Sequence, residues 1–157
     1  MAKDIQQWLD EYGESHQNTL NKRIHWFCVP QIFWTVIAAI FVIPSPAIFS
    51  EISPHLNWAS IVAVGTVLYY TTLSLSLAIG MAVFSAICYG IAVAVNVAFP
   101  GKLLIIAGVY FVGLWLLQFY GHEVEGKKPS FLKDVQYLMI GPAWLMSFIY
   151  TKIGLKY

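Results

Sequence analysis

Between Ile24 and His122 the chain carries only two formally charged side chains, Glu51 and Lys102. A soluble domain spends roughly a quarter of its residues on charge, and a water-soluble fold of 157 residues has too little interior to hide so long an apolar run. Over the whole sequence 11% of residues are charged and 59% are hydrophobic, so lipid is the predicted solvent. The chain reads as an integral membrane protein, of a bacterial inner membrane or, if eukaryotic, of the endoplasmic reticulum. The net charge of +1 provides no basic field to gather nucleic acid. Cys28 and Cys88 both fall in apolar runs and read as small buried hydrophobes. Met1 to Arg23 is polar, with seven charges, unlike a secretory signal, so the N-terminal segment is expected to be retained.

The pattern predicts an all-α, polytopic transmembrane bundle forming a single membrane domain over residues 1–157. Ile5, Trp8, Leu9 and Tyr12 recur at helical spacing, which predicts an N-terminal interfacial helix ended by Gly13, followed by a polar segment up to residue 23. A first span is expected near 24–43, with a kink at Pro30. Asn57 to Phe99 is twice the length a bilayer needs, which implies two spans, near 57–73 and 76–99, broken among Thr71, Thr72, Ser74 and Ser76. A further span is expected at 103–119 and a cytoplasmic loop at 120–134. The segment 135–151, interrupted at Gly141-Pro142, reads as a fifth span or a re-entrant piece, so the total is four to five. Ala78, Ala82, Ala86, Gly90 and Ala94 form a small-residue ridge, which leaves contacts within one chain and a homo-oligomer both open. Trp26, Trp34, Trp58, Trp115 and Trp144 read as an aromatic belt. With the N-terminus cytoplasmic, six of the nine basic residues fall inside. The spans hold no charged interior residue, which disfavours transport.

Topology sorts the four histidines. Four crossings return the chain to the face it left, so His16, His25 and His122 share one side and His55 lies on the other. Imidazole binds transition metals through a neutral lone pair, and three converging rings point to a metal site. His16 and His25 are nine residues apart, about 180° around a straight helix, so a bend must fall between them. Asn21, one turn before His25, is placed for its amide to hold the ring. His122 and Glu125 sit at i and i+3, on one side of a helical turn. Such a set leaves coordination positions open, as suits non-haem iron(II) and oxygen.

Two segments carry a resemblance. One runs from Trp8 through Glu11-Tyr12-Gly13-Glu14-Ser15-His16 to His25-Trp26 and Pro30. The other is Gln118-Phe119-Tyr120-Gly121-His122-Glu123-Val124-Glu125-Gly126-Lys127-Lys128-Pro129-Ser130, followed by Gly141-Pro142. Together, and in this order, the chain resembles the small membrane family typified by the fungal 2-hydroxy fatty acid dioxygenase of phytosphingosine breakdown, and is more similar to its bacterial branch. The resemblance covers essentially the whole chain. It implies an Fe(2+) enzyme that uses molecular oxygen to shorten a 2-hydroxy fatty acid by one carbon (α-oxidation). Its metal ligands would be His16, His25 and His122, with Glu125 as a fourth ligand or as a group that holds one. A 2-hydroxy acid can chelate the metal through carboxylate and hydroxyl, and its tail needs a lipid-accessible groove. Lys22, Arg23, Lys127 and Lys128 would attract the carboxylate or only set orientation. The competing readings are a non-catalytic lipid-binding or scaffold membrane protein and a zinc-dependent membrane lipid hydrolase.

Overall fold

A computed structural model describes residues 3–132 and 136–157. Lys133, counted above among the cytoplasmic basic residues, and Val135, the expected start of the last segment, lie outside them. The described chain is helical throughout: α1 (Ile5–Gly13), α2 (Thr19–Phe41), α3 (Ala47–Ile52), α4 (Trp58–Thr71), α5 (Leu75–Ala98), α6 (Leu103–Glu125), a 3-10 turn at Ser130–Leu132, and α7 (Tyr137–Ile153).

Local chemistry sets the ends. Asp4 and Gln7 form a reciprocal capping box that starts α1. Asn18 caps α2 by accepting from the Leu20 amide at 2.8 Å, so α2 begins at Thr19, five residues before the expected span, and continues through Pro30. Asn57 with Ser60 caps α4, and Ser74 caps α5, which places the break between them within the Thr/Ser cluster. Gly126, at φ 70°, ends α6. The expected loop from residue 120 therefore starts six residues late: hydropathy marks where a helix becomes polar, whereas the left-handed glycine marks where it stops. Helix α7 also runs unbroken through Gly141-Pro142.

Among the described residues three helices, α2, α5 and α6, are long and apolar enough to cross a membrane, each about 35 Å. Helix α4 is apolar but has 14 residues, about 21 Å. The most extensive pairing is α2 with α6. It is antiparallel, because Ala38 meets Leu103 and Ala107 near one end while Ile24 and Cys28 meet Leu114 toward the other. Helix α5 buries Leu77, Met81, Ser85, Cys88 and Ala92; of the small-residue ridge only Ala78 is buried, and Ala86, Gly90 and Ala94 stay exposed.

The apolar stripe of α1 does not lie on lipid. Trp8, Leu9 and Tyr12 are buried in one cluster with Tyr137, Ile140, Ala143 and Trp144 of α7. Tyr137 also donates to the Glu11 carboxylate. Helix α7, not the bilayer, is the apolar partner that the stripe required.

Candidate metal centre

The segment between α1 and α2 makes the bend that the histidine spacing demands. It carries His16 back over the start of α2, where His25 projects from the second turn, and the antiparallel α6 brings His122 to the same end. Ring centroids lie 4.2 Å apart for His16 and His25, 4.9 Å for His25 and His122, and 5.0 Å for His16 and His122. All three rings are buried, and one nitrogen from each lies within 4.8 Å of the others. His55 is exposed in the turn before α4 and takes no part.

Two of the rings are oriented by the same device. His16 Nδ1 lies 2.6 Å from the Tyr12 carbonyl and His25 Nδ1 lies 3.0 Å from the Asn21 carbonyl, each four residues back. A carbonyl only accepts, so Nδ1 donates in both, and in the neutral ring Nε2 keeps the lone pair. The Asn21 amide does not hold the His25 ring as expected: the backbone carbonyl of the same residue does, and the side chain donates to the Ser15 carbonyl and to Glu125, each at 3.1 Å. His16 Nε2 and His122 Nδ1 are buried without a hydrogen-bond partner among the described residues. Burial pushes the His16 imidazole down to about 4, so near neutral pH it is an uncharged electron-pair donor. Orphaned buried nitrogens on two of three clustered rings fit a transition-metal ion.

Glu125 stands behind the cluster. Its carboxylate accepts from the amides of Gln17 and Asn18 at 2.9 and 2.8 Å and from Asn21 Nδ2, so it fastens the His16 loop to the end of α6. Lys127 donates to the Glu14 carbonyl and Ser15 meets Ser130 at 2.5 Å, closing the same seam. Gly121 lets the helices approach: a Cβ there would sit 2.5 Å from Asn21 Oδ1.

A cavity of about 290 Å³ opens from the histidines along α2, at the lower end of ligand-pocket sizes. Tyr12, Gln118 and Trp115 join the histidines on its wall. Two of the tryptophans assigned to an aromatic belt stand at the site: Trp115 lines this cavity, and Trp144 is buried 5.3 Å from the His16 ring, on which Tyr12 also stacks at 4.2 Å. Their distance from span ends is equally compatible with site and belt, so the sequence alone does not separate them. Gln118 had a visible signal, as the one amide in its span, a turn before His122. Lys22, Arg23, Lys127 and Lys128 are not on the cavity wall.

Comparison with curated proteins and with solved structures yields no match. The chain does match a family model over residues 2–153, nearly its whole length, and so belongs to the 2-hydroxy-palmitic acid dioxygenase Mpo1-like family.

Proposed function

We propose that the protein is an iron(II)-dependent membrane dioxygenase that shortens a 2-hydroxy fatty acid by one carbon, with His16, His25 and His122 as the iron ligands. The observation that carries this reading is the pair of buried imidazole nitrogens, on His16 and His122, that have no hydrogen-bond partner among the described residues and belong to a three-histidine cluster at the head of an apolar cavity. Each such atom left unpaired costs about 1–3 kcal/mol, and a bound cation removes the cost. The family name supports the activity and the substrate class.

Bound there, iron(II) would supply a Lewis-acidic centre with free positions for oxygen and a chelating acid. The chain's own side chains do the remaining work. The Tyr12 hydroxyl and the Gln118 amide line the cavity beside the histidines, and neither has a hydrogen-bond partner among the described residues. They are donors for the carboxylate and hydroxyl of the acid, which they orient toward the ligand cluster. Since no Lys or Arg among the described residues lines the cavity, recognition of the head group is assigned to these hydrogen bonds and to the metal. Tyr12, stacked on His16, and Trp144, in contact with both rings, exclude water from it. Glu125 acts as the anchor of the His16 loop. The whole chain acts as one membrane domain with its N-terminus and histidines at the cytoplasmic face.

Oxygen uptake on adding a 2-hydroxy fatty acid to protein loaded anaerobically with iron(II) is the direct test. Ala at His16, His25 or His122 is expected to abolish both bound iron and uptake, whereas His55→Ala retains both. A preparation that takes up no iron, or equal losses from all four substitutions, would refute the reading; turnover without oxygen in a zinc-retaining preparation would make the protein a hydrolase.

A further inference from the structure

The cavity continues well beyond the head-group region. From His25 its floor follows one face of α2 through Val29 and Phe33 to Ile37, a run of about 18 Å at 1.5 Å per residue. Half of a ~30 Å hydrocarbon core is about 15 Å, the depth that one long acyl chain fills in a leaflet. The polar groups cluster at the histidine end, and the far end is walled by Ile37 and Val62.

The side walls come from α4, through Val62 and Thr66, and from α6, through Phe111 and Trp115, while the 3-10 turn and α7 wall the histidine end through Phe131 and Pro142; α5 contributes nothing. Helices α4 and α6 both pack on α2 without packing extensively on each other, so the groove between them faces the surrounding lipid. Its rim is apolar and open, with Val36, Val62 and Phe111 exposed at 42%, 39% and 37% over a floor where Ile37 is 2% exposed. A single-chain amphiphile fits this arrangement: an unbranched tail that is already dissolved in the bilayer, and one polar head that ends at the histidines.

We propose that this groove is a lateral acyl channel, entered from the membrane between α4 and α6, and that Val62 at its far wall sets the longest tail the site accepts. The proposal rests on the head-group reading above and adds the route and the length-determining residue. A tail that passes from lipid into the groove gains little per methylene, because both surroundings are apolar; a tail longer than the groove meets the Val62 wall, so length is limited by steric exclusion.

The test uses the full-length protein in phosphatidylcholine vesicles and a series of saturated 2-hydroxy acids of increasing length, including one with a diazirine at the methyl end. The tail label is expected on the peptides that hold Val36, Ile37 and Val62. Val62→Trp should remove that label and weaken acids whose tails reach the far wall by about tenfold or more through steric clash, leaving short acids bound as before; Val62→Ala should extend tolerance to longer acids and covers the case in which the larger side chain does not fold. A tail label on α5 or in the separate cleft beside Phe84 and Ile149, or a length profile that neither substitution moves, would overturn the channel. A shifted profile without oxygen uptake would keep the channel and refute the oxygenase; uptake with an unmoved profile would do the reverse.

Discussion

Glu125 shows how a residue outside the cluster controls it. Both of its oxygens are engaged, by two backbone amides of the His16 loop and by Asn21, so its proposed contribution to metal binding passes through the position of His16. Groups that orient ligands typically change metal affinity by about 10–100-fold when removed. Glu125→Ala is therefore expected to weaken iron(II) binding by about that factor, while Glu125→Gln, which keeps an acceptor oxygen, weakens it less. Competition with a chelator measures both. Complete loss in the Gln variant would make Glu125 a ligand. The spacing of His122 and Glu125 was legible because α6 stays helical to its last turn. The amides that the carboxylate meets were not, because they come from a loop more than a hundred residues earlier in the chain.

At the scale of the element, the α2–α6 pair decides whether a site exists. Gly121 is packed closely against Asn21 there: a Cβ would meet the amide oxygen at 2.5 Å and Ile24 Cδ1 at 3.4 Å. Gly121→Ala must push the helices apart, so it should destabilise the fold by about 1–3 kcal/mol and lower iron retention as His122 moves away. Gly108 and Gly113 lie on the same helix with open space beside them, and Ala at either should be neutral or stabilising by up to about 1 kcal/mol. Thermal unfolding in detergent compares the three; equal effects would show that the glycines matter only through helix propensity. Element types were readable from apolar runs and caps. Extents were misread where polarity and helix termination part company, at residues 120–125 of α6 and at Pro142 in α7.

For the whole molecule, the orientation of α2 against α6 puts the histidine end at one surface and the α2–α3 turn at the other. Single reporter cysteines in place of Arg23 and Lys128 should therefore label from the same compartment, and cysteines in place of Glu51 and Lys102 from the opposite one. Labelling of Arg23 and Lys128 positions from different sides would contradict an even number of crossings between them. With the N-terminus inside, the first pair is the cytoplasmic one.

The sequence by itself determined the apolar composition and the helical class, because these follow from charge content and periodicity, which are local or additive along the chain. The convergence of His16, His25 and His122 was expected from a count of four crossings; among the described residues three helices are long enough to span, while the three rings do meet. Only the tertiary structure decided that α1 packs on α7, that Trp115 and Trp144 stand at the site, that Asn21 serves His25 through its carbonyl, and that the cavity runs between α4 and α6. Those depend on which apolar face meets which, and many side chains of similar hydropathy compete for the same surfaces until helix packing chooses among them.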